Sequence, residues 1–263
     1  MTQAPDPDGA EAAAHPAARP AACTPSSSLL PSPAQPRPLG GAAWAGRRIG
    51  LLGGSFNPAH EGHRHISLMA LKRLGLDQVW WLVTPQNPLK SAADTAALEL
   101  RVATAQARAR HPRIVVTALE TQLGTRYTAE TLAELRRRFP RTRFVWLMGA
   151  DNLRQIPHWR GWTRIFGMVP VAVFPRHPYA IPALVGKAAR RFARDRVDAG
   201  RSRELPLREP PAWVFLDGPL HPASATEIRR RGDSRAWAGK TGVPVAGVAA
   251  SGGKADRAPH HGT

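Results

Sequence analysis

The sequence predicts an α/β fold in which one parallel sheet is covered by helices on both faces. Two observations support this prediction: short apolar runs recur along the chain, and amphipathic segments with helical spacing separate them. Parallel strands need a crossover between them, which is usually a helix, so this alternation is typical of a doubly wound, Rossmann-like sheet. We expect a single domain whose ligands bind beyond the carboxyl ends of the strands.

The first half of the predicted fold contains three strands and two helices. A short apolar run predicts the first strand at 48–52. Apolar side chains three and four residues apart then predict a helix at 62–74. A run of valines, tryptophans and leucine at 79–83 has the composition of a buried strand. A helix at 96–109 and a strand at 114–117 complete this half.

The second half repeats the alternation. A helix is predicted at 128–139, where Leu132 and Leu135 share one face, and an apolar run predicts a strand at 144–148. The remaining predicted elements are a strand at 169–174, a helix at 181–192, a strand at 213–216 and a final helix that begins near Ser224.

The two ends of the chain differ in composition from the body. Residues 1–46 consist mainly of Ala, Pro and Ser, and residues 232–263 are rich in Gly and Ala. Such segments bury too little apolar surface to offset the entropy of ordering them. We therefore predict a disordered N-terminal extension at 1–46, a folded domain at 47–231 and a disordered C-terminal tail at 232–263.

Composition also restricts the class of protein. No stretch approaches the roughly 20 apolar residues of a membrane span, and residues 1–46 lack the basic start and apolar run of a targeting segment. The single cysteine, Cys23, cannot form an internal disulfide. We expect a soluble, cytoplasmic protein with no membrane partner, and the sequence leaves its oligomeric state open.

The formal net charge of +18 lies almost entirely in residues 47–231, because both ends are close to neutral. A basic body attracts phosphate groups of any kind. The run Arg136-Arg137-Arg138 is either a solvated helix face or part of a nucleic-acid stripe. No aromatic residues interleave with the run, which favours the solvated face. We expect no nucleic-acid partner.

The clearest chemistry lies in the run GGSFNPAHEGH, from Gly53 to His63, which follows the first predicted strand. Its two glycines allow the backbone to approach a ligand, and Asn57-Pro58 predicts a sharp turn. His60 and His63 fall where a helix should begin, so their imidazoles share a face with the N–H groups of the first turn. These features predict a site for a polyphosphate.

Two other interpretations of this run are weaker. Glu61 and His65 raise the possibility of a metal site, but zinc-protease histidines are four residues apart within a helix, and no third ligand follows at a recognisable spacing. The glycines resemble part of a dinucleotide-binding motif, but their spacing differs from that motif. We expect no metal bound by the side chains of the protein.

The segment Ser224-Ala225-Thr226-Glu227-Ile228-Arg229 has two interpretations. Ser224 and Glu227 match the capping-box pattern, which explains the segment on structural grounds alone. Considered beside the first motif, a second helix start with hydroxyl groups and Arg229 suits a triphosphate tail held between two helix ends.

Polar residues also follow the strand at 144–148. Gly149 and Asp151 lie at its carboxyl end, where Asp151 either caps the next helix or contacts a ribose or a metal-bound water. Trp159 is either a core residue or a stacking surface for an aromatic ring. The segments 87–90 and 124–128 lie at strand-to-helix turns on the expected ligand side, where each is either a plain turn or a substrate loop.

Together these motifs resemble the bacterial nicotinate-nucleotide adenylyltransferases, a family of the nucleotidyltransferase superfamily with a His-x-Gly-His signature. The resemblance runs from about Ile49 to Arg229. The run from His60 to His63 indicates only the superfamily. The narrower assignment depends on Gly124–Thr128 with Thr131-Leu132, on Gly149-Ala150-Asp151 and on Trp159.

The resemblance implies that the protein joins the AMP part of ATP to nicotinate mononucleotide, releasing pyrophosphate and forming nicotinate adenine dinucleotide in NAD biosynthesis. It implies Mg²⁺ bound mainly through ATP. The residues that it implies are catalytic are His60, His63 and Arg229. The implied ATP-binding residues are Gly53, Gly54, Ser55, Phe56, Gly149, Asp151, Ser224 and Thr226. The implied nicotinate mononucleotide-binding residues are Asn57, Lys90, Tyr127, Thr128 and Trp159.

The chain departs from the family pattern at several positions. Leu89 replaces the usual histidine before Lys90, and Ala225 replaces a usual serine and so removes one hydroxyl group. Ser55 and Asn57 stand where Thr and Asp are common. Two rival functions stay open at this point: adenylyl transfer to phosphopantetheine, and nucleic-acid binding without catalysis. The preference between the acid and amide mononucleotides is also open.

Overall fold

Seven strands form one sheet in the computed structural model, which describes residues 41–85, 95–176, 179–218 and 225–230. For Gly41, Ala180, Glu227, Arg229 and Arg230, only the backbone is described. The strands are β1 (Arg48–Gly54), β2 (Gln78–Val83), β3 (Ile114–Thr117), β4 (Arg143–Gly149), β5 (Val171–Phe174), β6 (Arg196–Val197) and β7 (Trp213–Phe215). Their order is β3-β2-β1-β4-β5-β7-β6, and all neighbouring pairs are parallel. The predicted parallel α/β sheet is confirmed.

Helices connect these strands. They are α1 (Glu61–Arg73), α2 (Leu98–Ala109), α3 (Leu119–Leu123), α4 (Thr128–Arg138), α5 (Ala150–Gln155), α6 (Trp162–Met168), α7 (Ala180–Leu184), α8 (Lys187–Arg191) and α9 (Ala225–Arg230). Shorter 3₁₀ segments lie at Gly41–Trp44, Ile156–His158, Ala193–Asp195 and Ala199–Leu207. Within the described ranges, no helix is both long and apolar enough to cross a bilayer.

The structure corrects three details of the predicted elements. The helix predicted at 181–192 is two helices, α7 and α8, because Gly186 between them is extended, with φ −71° and ψ 167°. The strand predicted from 169 begins at Val171, because the N–H of Val169 caps α6 and Pro170 has no N–H to give to the sheet. The short helices α3 and α6 were not predicted, and α5 was implied only by the possible capping role of Asp151.

Helices cover both faces of the sheet, as the neighbouring tryptophans of β2 show. Successive strand residues point to opposite faces. Trp80 packs in the core on one side, with residues of α4 to α8, and Trp81 packs in the core on the other side, with residues of α1 and α2. Both tryptophans are buried, so each face of β2 is covered.

Trp44 also packs on the fold, although it belongs to the predicted N-terminal extension. Its ring meets that of Trp80 edge-on at 5.1 Å, and its carbonyl oxygen accepts a hydrogen bond from the hydroxyl of Thr142 at 3.0 Å. The boundaries at 46/47 and 231/232 stay predictions.

The strand order reverses between β1 and β4. From β1 the chain moves outward to β2 and β3, and then returns to place β4 on the other side of β1. Helices on either side of such a reversal leave a crevice at the carboxyl ends of the two central strands. Gly54 ends β1 and Gly149 ends β4, so both glycine motifs lie at this crevice.

Candidate active site

The two histidines of the first motif cap the start of α1. His60 is the N-cap residue, in an extended conformation, and its Nδ1 accepts a hydrogen bond from the N–H of Gly62 at 3.1 Å. The N–H of His60 in turn donates to Nδ1 of His63 at 3.2 Å. The two imidazoles thus form a reciprocal capping box. The predicted helix start at this histidine pair is confirmed.

These contacts determine where each ring carries its proton. A ring nitrogen that accepts an N–H bond has no hydrogen of its own, so the neutral imidazoles of His60 and His63 hold their proton on Nε2. The Nε2–H groups are donors suited to phosphate oxygens, and the start of α1 adds partial positive charge. The arrangement is therefore competent to bind an anion.

Aromatic rings from the core support the imidazoles. The rings of His60 and His63 lie 3.9 Å apart, and Phe56 contacts His63 at 4.6 Å and stacks on Trp81 at 5.1 Å. Trp81 donates its indole N–H to the hydroxyl of Ser67 at 2.7 Å, and Ser67 donates to the carbonyl of His63 at 2.8 Å. The position of His63 is thus tied to the sheet.

Fewer groups of the loop after β1 are available to a ligand than the sequence predicted. The ring of Phe56 is buried and its backbone is left-handed, with φ 46°, so the ring is not available to ATP and the predicted contact is restricted to its backbone. Gly53 is required for packing, because a Cβ there would lie 2.5 Å from the Trp146 ring. The backbone carbonyls of Gly54 and Ser55 are both bonded, to the Thr84 N–H and to Arg101 respectively. Ligand contacts at Gly53, Gly54, Ser55 and Asn57 stay predictions.

Arg101 is a buried residue that the sequence analysis missed. Its guanidinium donates four hydrogen bonds of 2.7 to 2.8 Å to the carbonyl oxygens of Ser55, Thr84, Pro85 and Ala96. Burial lowers the pKa of this guanidinium, and Glu99 partly offsets the shift. Arg101 thus joins the loop after β1 to the loop after β2. A charged residue in an amphipathic helix is normally expected on the surface, so the sequence gave no indication that Arg101 is buried.

At the end of β4, Gly149 rather than Asp151 is the N-cap residue of α5. The capping role considered for Asp151 is therefore wrong. The Asp151 carboxylate pairs with Arg176 at 2.8 Å, and its Oδ1 is buried without a hydrogen bond inside the described part of the chain. A Cβ on Gly149 would collide with that Oδ1, so the glycine makes room for the carboxylate. An unsatisfied buried oxygen at the crevice suits a hydroxyl donor.

The turn before α4 lies on a buried polar cluster. Tyr127 is the N-cap residue of α4, and Thr128 is its first residue. The hydroxyl of Thr131 lies 2.9 Å from that of Thr125 and 3.3 Å from both the carbonyl of Tyr127 and Oε1 of Glu120. These contacts join the predicted substrate turn to α3.

Glu120, in α3, is the charged group of this cluster. Its side chain is buried, and burial raises the pKa of its carboxyl to about 7, against a smaller opposite effect from the hydroxyls of Thr84 and Thr131. The structure therefore holds a carboxyl group that gains a proton near neutral pH. Glu120 is not recognisable from sequence, because its partners come from other elements.

Trp159 is half-buried against the core cluster that contains Trp80. The neighbouring Arg160 lies over the ring of Tyr127 at 4.8 Å and approaches Glu130 at 3.9 Å. Trp159 therefore serves the core, and a stacking role for its remaining surface stays a prediction.

Two predicted site residues lie outside the described ranges. They are Lys90 and Ser224, and for Arg229 only the backbone in α9 is described. Thr226 is an exposed residue of α9. The predicted helix near Ser224 is present from Ala225, but the predicted ATP contacts of these residues stay predictions.

The run from Arg136 to Arg138 lies on the exposed end of α4. Glu134 accepts hydrogen bonds from Arg137 at 2.7 Å and Arg138 at 2.6 Å, and these bonds lower its pKa to about 2. Local pairing of this kind is typical of a solvated helix face.

Comparison with known proteins agrees with this fold. The sequence profile of the family described as cytidylyltransferase-like matches residues 51–231. A probable nicotinate-nucleotide adenylyltransferase of Parvibaculum lavamentivorans is 56% identical over 187 residues, which cover 71% of this chain and 93% of the relative. Another from a Bradyrhizobium species is 54% identical, over 69% of this chain and 95% of the relative.

Among solved structures, the nicotinic acid mononucleotide adenylyltransferase of Plasmodium falciparum, complexed with NaAD, has a similar fold. It has a TM-score of 0.50 at 16% identity and covers 70% of this chain and 83% of its own. At this identity the likeness concerns the fold alone. The sequence relatives decide the narrower assignment, because they share half or more of their residues with this chain over nearly their whole length. The chain belongs to the nicotinate-nucleotide adenylyltransferase family.

Proposed function

We propose that this protein transfers the adenylyl group of ATP to nicotinate mononucleotide, giving nicotinate adenine dinucleotide and pyrophosphate. The observation that carries adenylyl transfer is the histidine pair at the start of α1, which lies at the crevice between β1 and β4, and the choice of nicotinate mononucleotide as acceptor rests on the sequence relatives. The curated relatives, which match over nearly their whole length, are named probable nicotinate-nucleotide adenylyltransferases. The reaction is a step of NAD biosynthesis.

The nucleophile is a phosphate oxygen of nicotinate mononucleotide, which is already ionised at neutral pH and needs no general base. It attacks the α-phosphorus of ATP and forms a new P–O bond, while the bond from that phosphorus to the bridging oxygen breaks. The electron pair of the broken bond leaves with pyrophosphate. Catalysis then depends on bringing two anions into line and on stabilising the charge that develops. No covalent enzyme intermediate is required.

The α1 side of the site supplies the first set of hydrogen-bond donors to the phosphates. The Nε2–H groups of His60 and His63 are the proposed donors to the ATP phosphates, because their Nδ1 atoms already accept N–H bonds within the capping box. The backbone of the loop from Gly53 to Phe56 borders the same phosphates. Ser224, Thr226, Arg229 and Lys90 are proposed to hold the polyphosphate from the other side.

The remaining proposed contacts are divided between ATP and nicotinate mononucleotide. Asp151 is proposed to accept hydrogen bonds from the adenosine ribose, which would satisfy its buried Oδ1. Asn57, Tyr127 and Thr128 are proposed to line the mononucleotide pocket, with Trp159 stacked on the pyridine ring.

Magnesium is proposed to enter bound to ATP rather than to a protein site. Among the described residues, no group of three His, Cys, Asp or Glu side chains is arranged to hold a metal ion. The Nδ1 atoms of His60 and His63 are occupied as acceptors, and Asp151 is paired with Arg176. Held through ATP, Mg²⁺ would supply positive charge that stabilises the departing pyrophosphate.

Because ATP is the proposed donor, we place the reaction in the cytoplasm. The residues that carry it lie in the predicted domain 47–231. No function is assigned to the two ends of the chain.

An acceptor panel tests the proposed function. The purified chain is incubated with ATP, Mg²⁺ and one acceptor at a time: nicotinate mononucleotide, its amide or phosphopantetheine. Pyrophosphate release and the mass of the product are measured. We expect nicotinate adenine dinucleotide with nicotinate mononucleotide and only background release without an acceptor. A product with phosphopantetheine alone, or no product with any acceptor, would contradict the proposal.

A further inference from the structure

A chain of buried polar contacts crosses the carboxyl edge of the sheet, from the loop after β1 to the turn before α4. It begins at Ser55 and Thr84, whose carbonyls share one guanidinium nitrogen of Arg101, at 2.8 and 2.7 Å. The side chain of Thr84 interacts in turn with the carboxyl of Glu120. Glu120 thus lies between the proposed phosphate loop and the proposed mononucleotide turn.

Glu120 holds that turn in two ways. Its backbone carbonyl accepts the N–H of Thr125 at 3.2 Å, at the point where α3 ends. Its Oε1 is 3.3 Å from the hydroxyl of Thr131, which also lies 3.3 Å from the carbonyl of Tyr127. The first contact acts just before Tyr127, and the second reaches the carbonyl of Tyr127 through Thr131 in the first turn of α4.

The cluster is better satisfied when Glu120 carries a proton. The Thr131 hydroxyl has one hydrogen but three neighbours that can accept it: the Glu120 carboxyl and the Tyr127 carbonyl at 3.3 Å, and the Thr125 hydroxyl at 2.9 Å, which can also donate. A protonated carboxyl can donate to Thr131, which frees the hydroxyl hydrogen for Tyr127. Glu120 Oε2 is buried, and within the described residues no hydrogen bond of normal length and angle reaches it, so the negative charge of the carboxylate is poorly compensated when the proton is absent. The raised pKa agrees with this geometry.

We propose that Glu120 is a positioning residue for nicotinate mononucleotide, which fixes the turn at Tyr127 and Thr128 through Thr131 and aligns it with the phosphate loop through Thr84 and Arg101. The inference rests on the proposed function. Glu120 touches neither substrate; it acts by setting where the acceptor lies relative to ATP.

The test distinguishes an effect on the KM for nicotinate mononucleotide from an effect on the KM for ATP. Glu120→Leu removes the hydrogen bonds, and Glu120→Gln replaces the protonated carboxyl by an amide that can still donate to Thr131. Thr131→Val removes only the hydroxyl, and Thr121→Val makes the same change at an exposed position of α3. For each variant, KM for nicotinate mononucleotide, KM for ATP, kcat and resistance to urea are measured.

We expect Glu120→Leu and Thr131→Val to raise KM for nicotinate mononucleotide by about tenfold, and KM for ATP by less than about threefold. Glu120→Gln and Thr121→Val keep both values near those of the wild type. Thr131→Val carries the test if Glu120→Leu does not fold.

Three results would overturn the inference: equal increases in both KM values, an unchanged KM for the mononucleotide in folded Glu120→Leu or Thr131→Val, or a defect in Glu120→Gln as large as in Glu120→Leu. A wild-type chain inactive with nicotinate mononucleotide would instead overturn the proposed function, and this inference with it.

Discussion

His60 and His63 are joined at the start of α1 by a hydrogen bond from the N–H of His60 to Nδ1 of His63, and their rings lie 3.9 Å apart. The pair therefore has two tasks. The Nδ1 atoms complete the helix cap, and the Nε2–H groups are the proposed donors to phosphate. Each task can be removed separately by mutation.

Replacing His60 by Asn separates capping from catalysis. An Asn oxygen is a good N-cap acceptor and can take the N–H of Gly62, but it offers no Nε2–H at the same place. We expect the unfolding free energy of His60→Asn to stay within about 1 kcal/mol of the wild type, while kcat falls by about 10². Urea unfolding and pyrophosphate release measure the two effects. Near-normal turnover in this variant would argue against a phosphate contact at His60.

Arg101 is expected to be critical for stability, because Arg101→Leu leaves four carbonyl oxygens without their donor. The cost of such unsatisfied groups predicts a loss of at least about 3 kcal/mol in unfolding free energy. The matched control is Arg108→Leu in the same helix, where a half-exposed guanidinium meets Glu61 at 3.3 Å and the expected loss is below about 1 kcal/mol. Equal losses in the two variants would show that the buried contacts of Arg101 contribute little.

The carboxyl of Glu120 makes stability depend on pH. Its pKa is about 7 in the fold and 4.5 as the ordinary value, so the folded chain binds this proton more tightly than the unfolded chain. The stabilisation is complete below pH 4.5 and is lost as pH rises through about 7. Relative to Glu120→Gln, the wild type should lose on the order of 2 kcal/mol between pH 5 and pH 8.

Urea unfolding of both proteins across this pH range measures that difference. Glu134 and Glu204 do not contribute to it, because hydrogen bonds from arginines lower their pKa values to about 2. Parallel pH profiles for the wild type and Glu120→Gln would be inconsistent with a titrating Glu120.

Asp151→Asn tests the proposed ribose contact. The variant keeps the side-chain shape but loses the charge that pairs with Arg176 at 2.8 Å. Hydrogen bonds to charged groups contribute about 1.5 to 3 kcal/mol, so we expect KM for ATP to rise by about tenfold or more. Asp198→Asn, at an exposed position, is the matched control. The ribose assignment fails if the ATP dependence of Asp151→Asn follows that of the control.

The sheet and the location of the crevice could be predicted from sequence, because periodicity reports burial directly. The buried strand 79–83 and the glycine run after the first strand are local signals, and both agree with the structure. The break at Gly186 and the short helix α3 were not predictable in this way, since one or two helical turns have too few residues to show a period.

The sequence was sufficient to locate the histidine pair at a helix start, but it did not reveal the buried residues that support the neighbouring loops. His60 and His63 are recognisable because their spacing and context are local. Arg101 and Glu120 were missed because their partners come from loops and helices far away along the chain. Only the fold brings those partners together, and a charged residue in an amphipathic segment otherwise indicates a surface.

The central claim is that the imidazole pair at the start of α1 promotes adenylyl transfer, and the turnover of His63→Ala tests it most directly. Losing a positioned donor to developing charge costs about 3 to 4 kcal/mol. We therefore expect kcat with ATP and nicotinate mononucleotide to fall by about 10² to 10³ while circular dichroism shows an intact fold. A folded His63→Ala variant with near-normal kcat would contradict the account.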